Sequence, residues 1–277
     1  MITSCANSKV KRIVALQEKS KNRLKGNVFV AEGLKMFEEA PADKIKEIYV
    51  EEKLYETLNP DLRARITAYE GKGIPTEIVT KEVFAKMSDT QSPQGILCVM
   101  QRCNYQLDEL VEKAVKRREK KEKAPLFLLL EDIQDPGNLG TMIRTAEGAG
   151  ADAVIMTKGT VDIYNPKTIR STMGSLYRVP FLYVEDIAAA ISALQKGKIK
   201  VYAAHLQGEK YFHEFTYKEG AAFLIGNEGN GLKKETADLA NCYLKIPMEG
   251  QLESLNASVA AALLMYQAAA ERYGDRK

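Results

Sequence analysis

Arg144, Glu228, Ser254 and Asn256 are a guanidinium, a carboxylate, a hydroxyl and an amide, and each belongs to one of three separated segments that follow apolar runs. The segments read DPGNLGTMIRTAEGAG (135–150), LIGNEGNGL (224–232) and IPMEGQLESLNASVA (246–260). Polar and glycine residues at the ends of apolar strands are where α/β enzymes build sites. Glycine-rich turns there let a ligand lie against backbone amides, although the acidic Glu228 argues against a phosphate cradle. Taken singly each signal has a plainer reading. Most helix arginines are solvated, a G-x-x-G-x-G string is a weak motif, and an isolated Ser-x-Asn before a helix reads as a cap.

The elements that must position these residues follow from the patterning. Residues 126–131 (LFLLLE) form a buried-type strand, Asp-Pro-Gly breaks the chain, and a helical pattern starts at Leu139 with Asn138 placed to cap it. Leu139, Met142, Ile143 and Ala146 fall on one apolar face, while Gly140, Arg144 and Gly148 recur every fourth residue on another. Two helix glycines cost roughly 1 kcal/mol each relative to alanine, so close approach of a ligand or a second backbone is expected beside Arg144. AAFLIG is a strand running into the turn with Gly226, Gly229 and Gly231. CYLKIP is a strand followed by an extended loop and an alanine-rich helix of residues 255–273.

From Pro125 onward strands alternate with helices (139–149, 165–174, 186–196, 232–240), which predicts a largely parallel sheet covered on both faces. Before it, NVFVAEG, KIKEIYV, TEIVT and GILCVM predict four strands of a small α/β domain with helices between them. Leu107 to Lys123 holds seven basic and five acidic residues and reads as a charged helix or linker, and the expected division is a domain over 1–105, a charged linker over 106–124 and a second domain over 125–277.

The ordered set DPGNLG-x-x-x-RTAEG-x-G, LIGNEG-x-GL and IPM-(x)5-SLNAS-x-A closely resembles the three motifs of the SpoU family of RNA ribose 2′-O-methyltransferases, within the wider SPOUT class. The resemblance spans about 126–273, and three motifs in family order and spacing carry far more than any one of them. VFVAEGLKMFEEA (28–40) and MSDTQSPQGILCVM (87–100) more loosely resemble the small RNA-binding domain that precedes many of these catalytic domains. The resemblance implies a C-terminal trefoil knot, S-adenosylmethionine as cofactor, and backbone recognition of it at Gly226, Ile246 and Leu255. It places Arg144, Glu228, Ser254 and Asn256 around the reacting ribose, with Asn138 and Gly140 shaping the site. A guanidinium stays protonated far above pH 7, so Arg144 is expected to clamp a phosphate and orient the 2′-hydroxyl rather than act as base. The resemblance further implies ribosomal RNA as substrate, with transfer RNA as the alternative, and a homodimer formed through the last helix, with Arg144 completing the partner's site.

Composition bounds the rest. The 277 residues carry a net charge of +3 with 45% hydrophobic residues, enough for two modest cores. Met1 to Lys25 concentrates seven basic residues against Glu18, which reads either as an arm tracking a phosphate backbone or as a solvated amphipathic helix. Cys5, Cys98, Cys103 and Cys242 lack short C-x-x-C spacing, so no metal is expected and reduced thiols in cytoplasm are. No signal-type apolar stretch opens the chain, and 18 consecutive apolar residues occur nowhere, so no membrane partner is expected. Two rivals remain. A dinucleotide enzyme lacks its G-x-G-x-x-G in the first turn, and a non-catalytic RNA-binding protein would have no need of the intact Arg144, Glu228 and Asn256 set.

Overall fold

The structure is a computed structural model that describes residues 1–274. The chain packs as two units, one of residues 1–103 with 162–177 and one of residues 104–161 with 178 onward.

The first unit contains α1 (Ser8–Glu18), α2 (Ser20–Gly26), β1 (Val28–Glu32), α3 (Leu34–Glu38), β2 (Ile45–Glu51), α4 (Glu52–Thr57), α5 (Pro60–Glu70), β3 (Thr76–Val79), α6 (Lys81–Met87) and β4 (Ile96–Gln101). Its sheet runs β1-β4-β2-β3, with β4 antiparallel to both neighbours and β3 parallel to β2. The four strands expected from the sequence are all present. The basic N-terminal stretch is no free arm. Val10, Ile13 and Leu16 recur at helical spacing on α1 and are buried against Val30, Tyr49, Val83, Phe84, Leu97 and Val99. Lys9 and Arg12 pair with Glu77 and Glu47. Arg23 is 3% exposed and bonds to Asp162 at 2.7 Å and to the carbonyls of Leu16 and Gln17. Lys11, Lys19, Lys21 and Lys25 are left exposed.

The second unit opens with α7 (Leu107–Glu119), followed by β5 (Leu126–Leu130), α8 (Pro136–Gly148) and β6 (Ala153–Thr157). Of the two readings of this charged segment, helix or linker, most of it is helix. Its apolar positions Val111 and Ala114 are buried with Phe127, Leu129, Ile191 and Leu194, which anchors it to this unit's core despite its charge. Next comes α9 (Pro166–Thr172), which belongs to the first unit and packs on β1. Tyr164, at its approach, stacks on Phe29 with ring centroids 4.5 Å apart. This apolar anchoring draws residues 162–177 away from the unit their place in the sequence suggested.

Completing the second unit are β7 (Phe181–Val184), α10 (Ile187–Lys196), β8 (Lys200–Ala204), β9 (Lys210–Tyr211), β10 (Ala221–Ile225), α11 (Lys234–Ala237), β11 (Cys242–Lys245) and α12 (Ala257–Gly274). The seven strands run β7-β6-β5-β10-β8-β11-β9, and every neighbouring pair is parallel. All five residues of LFLLL are buried, Phe127 and Leu129 in the cluster with α7 and α10, while α12 packs on β5 and β10. β9 had no counterpart in the sequence reading, because two residues carry no periodicity. Among the described residues no helix is long and apolar enough to cross a membrane, and the four cysteines are free.

Candidate active site

The register of the parallel sheet brings the three motifs together. Leu130 at the end of β5 lies opposite Ile225 at the end of β10, Leu224 lies opposite Ala203 of β8, and Ala204 opposite Leu244 of β11. The loops that leave these strands thus emerge side by side at the carboxyl ends of the strands, and chain order is interrupted there because β10 inserts between β5 and β8.

Glu228 links the loops. Its carboxylate accepts the backbone N–H groups of Gln134 and Asp135 and the side-chain amide of Asn138, all at 3.0 Å. Asn138 Oδ1 in turn accepts Asn256 Nδ2 at 3.0 Å. Asn256 also caps α12, its Oδ1 accepting from the Ser258 N–H and hydroxyl. Residues from all three motifs are therefore joined in one hydrogen-bonded chain. The cap of α8 is Asp135, which accepts the Asn138 N–H at 2.8 Å with Pro136 opening the helix. The expectation that Asn138 is the cap is corrected accordingly: Pro136 is pre-set for the first helical position, so the helix starts earlier and frees the Asn138 side chain for the network.

Beside this network lies a cleft of about 340 Å³. Gly226, Glu228, Ile246, Ser254 and Leu255 line it, together with Leu206, Leu244 and Met248. Arg144, Asn138, Gly140 and Asn256 do not. Gly226 is required by the chain itself: a Cβ there would stand far inside contact distance of the Gly231 and Leu232 backbone. The glycine thus serves the chain's own tight loop, closed by paired Asn227 and Gly231 backbone bonds of 3.1 and 2.9 Å. On α8, Gly140 is buried, and a Cβ on Gly148 would meet the Tyr266 hydroxyl of α12 at 2.5 Å. That glycine accommodates a second helix. Arg144 is exposed and, among the described residues, has no hydrogen-bond or ion-pair partner.

Residues 125–266 match the SpoU rRNA Methylase family, over just over half of the chain, and residues 7–98 match the MRM3-like substrate binding domain. The chain belongs to the SpoU rRNA methylase family. It is 36% identical over 267 residues to the 23S rRNA (guanosine(2553)-2'-O)-methyltransferase RlmP of Bacillus subtilis, covering 96% of this chain and 97% of that one. It is 28% identical over 240 residues to the 23S rRNA (guanosine-2'-O-)-methyltransferase RlmB of Xanthomonas campestris, covering 85% and 92%. The fold matches that of an AdoMet-bound rRNA methyltransferase from Sinorhizobium meliloti with a TM-score of 0.83 at 27% identity, over 98% of this chain and 97% of that one.

The SpoU cleft suits an adenosine-bearing cation. Ile225, Leu244, Ile246 and Leu255 offer an apolar wall, the surrounding loops offer backbone groups, and Glu228 and Glu253 supply negative charge. Among the described residues no group of three or more His, Cys, Asp or Glu is placed to hold a metal ion. Two lining or supporting residues were missed by sequence reasoning. Glu131, 2% exposed at the end of LFLLL, accepts the Thr236 hydroxyl and the Lys233 N–H and so fixes the far end of the second-motif loop. His205 lines the cleft at the end of β8, its Nδ1 accepting the Gln207 N–H and its ring lying 4.9 Å from that of Tyr243. A lone Glu or His ending an apolar strand carries no motif, and only the pattern of polar residues at strand ends could have pointed to them.

Partial burial acts to raise the Glu228 pKa, but hydrogen bonds from Asn138 and from the Gln134 and Asp135 backbone outweigh it and hold the carboxyl below its ordinary value. A folded value below the unfolded one contributes stability that is present above the ordinary glutamate range and lost as pH falls through the folded value. Denaturant midpoints of the native chain and Glu228→Gln are therefore expected to differ at pH 7 and to converge as pH falls below the ordinary value of 4.5 and through the lower folded one. The difference is small because the carboxylate is solvent-facing. A gap that persists unchanged at pH 3 would rule out this role for the charge.

Proposed function

We propose that this chain transfers a methyl group from S-adenosylmethionine to a ribose 2′-hydroxyl of ribosomal RNA in the cytoplasm, with the cofactor held in the second-unit cleft and the first unit reading the RNA. The network from Glu228 through Asn138 to Asn256, at the rim of a cleft with an apolar wall and backbone groups, is the observation that carries this reading. The family fold further implies that the loops around 226–256 are threaded as a trefoil knot. The first unit, residues 1–103 with 162–177, is then the RNA reader, and the second unit, α7 included, is the methyltransferase.

Bound S-adenosylmethionine supplies a methyl already activated on a sulfonium, so the protein's task is mainly positioning. Gly226, Ile246 and Leu255 hold the adenosine, while Ser254, exposed on the cleft, meets the ribose or the cofactor. Arg144 clamps the phosphate beside the target and orients the hydroxyl. Glu228 is a poor base, since three donors already satisfy it and lower its pKa. Its work is to order the first-motif loop. Asn256 keeps one side-chain N–H beyond its bond to Asn138 for a substrate oxygen. Incubating the purified chain with methyl-labelled S-adenosylmethionine and unmodified ribosomal RNA should yield alkali-resistant 2′-O-methyl dinucleotides, undiminished by EDTA. Label appearing only on bases, or only when metal is restored, would overturn this function.

The working form is a homodimer built on α8 and α12. Val259, Leu263 and Tyr266 are 47%, 39% and 49% exposed, and their spacing sets them along one stripe of α12. Arg144, on the helix packed beside it, is exposed and stands outside the cleft assigned to the cofactor, which suits a role in a partner's site. Co-expressed Arg144→Ala and Leu255→Trp chains are expected to regain up to about a quarter of native activity that neither variant has alone. No recovery in isolated heterodimers would exclude shared sites.

A further inference from the structure

The first unit holds a cleft of about 310 Å³ whose lining includes Glu32, Lys35, Met36, Gln94, Arg170 and Met173. Two of its polar groups, Glu32 and Gln94, are held by hydrogen bonds within the unit. The Glu32 carboxylate accepts the Ser88 hydroxyl at 2.5 Å and the Thr90 hydroxyl at 3.0 Å on Oε1, and the Asp89 N–H at 3.1 Å on Oε2. That leaves an acceptor position open on Oε2, because a carboxylate offers about four. Gln94 Oε1 takes the Leu34 N–H at 2.9 Å, which leaves its NH2 without a partner among the described residues. Gly33 has φ +108°, and a Cβ on it would meet Gln94 Oε1 at 2.8 Å, so glycine permits this placement of the amide. Arg170 pairs with Asp89 at 2.7 Å and keeps further N–H donors, while Lys35 is exposed and lies 3.8 Å from Glu39. Met36 is buried, whereas Met173 is 42% exposed with φ +51°, a conformation unusual for a side chain with a Cβ.

We infer that this cleft takes an unpaired guanine of the RNA substrate. Guanine places two acceptors, O6 and N7, on one edge and the N1–H and N2–H donors on the next, which matches the Gln94, Lys35 and Arg170 donors beside the open Glu32 oxygen. Adenine sets an amino donor where guanine has O6 and would face those donors. A pyrimidine has only one ring with which to fill the space, and the two thioethers suit the flat faces of a larger base. A concave pocket of this kind reads a base only when the base is out of a helical stack, as in a loop or bulge.

The inference rests on the RNA methyltransferase reading, and the test separates the two. Anisotropy titrations of the full chain with labelled single-stranded AAAGAAA and AAAAAAA RNA are expected to give at least tenfold tighter binding of the guanine-containing strand. Lys35→Ala and Gln94→Leu should each cut that preference to threefold or less while S-adenosylmethionine affinity stays within twofold of native. Free GMP should compete only at millimolar concentration. Equal affinity for the two strands overturns the inference, as does a variant that weakens both equally, which would mark a phosphate contact, or micromolar binding of GMP, which would mark a free-nucleotide site. If any of these occurs while ribosomal RNA is still methylated, the function stands and the guanine pocket falls. Absence of both RNA binding and methyl transfer removes both.

Discussion

Replacing Arg144 by alanine is expected to lower the single-turnover rate of methyl transfer by about 10²–10³-fold, the scale seen when one preorganised electrostatic contact to a reacting centre is lost. Thermal stability and S-adenosylmethionine affinity should hardly move. Both expectations come from its position: the side chain is exposed, has no partner among the described residues, and stands outside the cleft assigned to the cofactor. Surface substitutions of that kind usually stay within about 0.5 kcal/mol. Arg144→Lys keeps the charge but loses the planar fork, so partial recovery is expected, with the remaining deficit falling on RNA KM as well as on kcat. An Arg144→Ala enzyme retaining more than a tenth of native single-turnover rate would remove the residue from the site.

Gly226→Ala is expected to do the opposite, failing through structure. The added methyl would overlap the Gly231 and Leu232 backbone, which cannot step aside as a flexible side chain could. Overpacking of a tight site costs roughly 1–3 kcal/mol, or a fall of roughly 2–12 °C in the melting temperature of a unit this size. Because the displaced loop also carries Glu228, S-adenosylmethionine affinity should fall at least about tenfold, equivalent to about 1.4 kcal/mol. Calorimetric titration beside a melting curve checks both. Native affinity in a destabilised variant would show that the loop relaxes without disturbing the cleft. Native stability would contradict the packing.

Much of this molecule is legible in one dimension because its signals are local. LFLLLE, ADAVIM and AAFLIG are apolar runs of strand length, and each is a core strand in the parallel sheet. Asp-Pro-Gly marks the start of α8, although the cap falls on Asp135 and not on Asn138. The three motifs lie at strand ends, and the parallel register alone carries them to the same end of the sheet.

Other features depend on contacts between residues far apart in the chain, for which no short window holds a signal. Residues 162–177 join the first unit because Tyr164 finds Phe29 and Asp162 finds Arg23, partners more than 130 positions away. The charged 107–119 segment is read as a connector from its composition, but a buried Val111 and Ala114 make it part of the core. Glycines at 148 and 226 signal close approach in the sequence. Only the fold shows that what approaches is Tyr266 in one case and the chain's own loop in the other. The sequence by itself determined most of the elements, the parallel sheet and the residue types of the site, since periodicity and motifs are set by neighbours along the chain. Tertiary structure decided which carboxylate organises the loops and which arginine is left unpaired, because hydrogen-bond partners and burial are fixed only when distant segments meet.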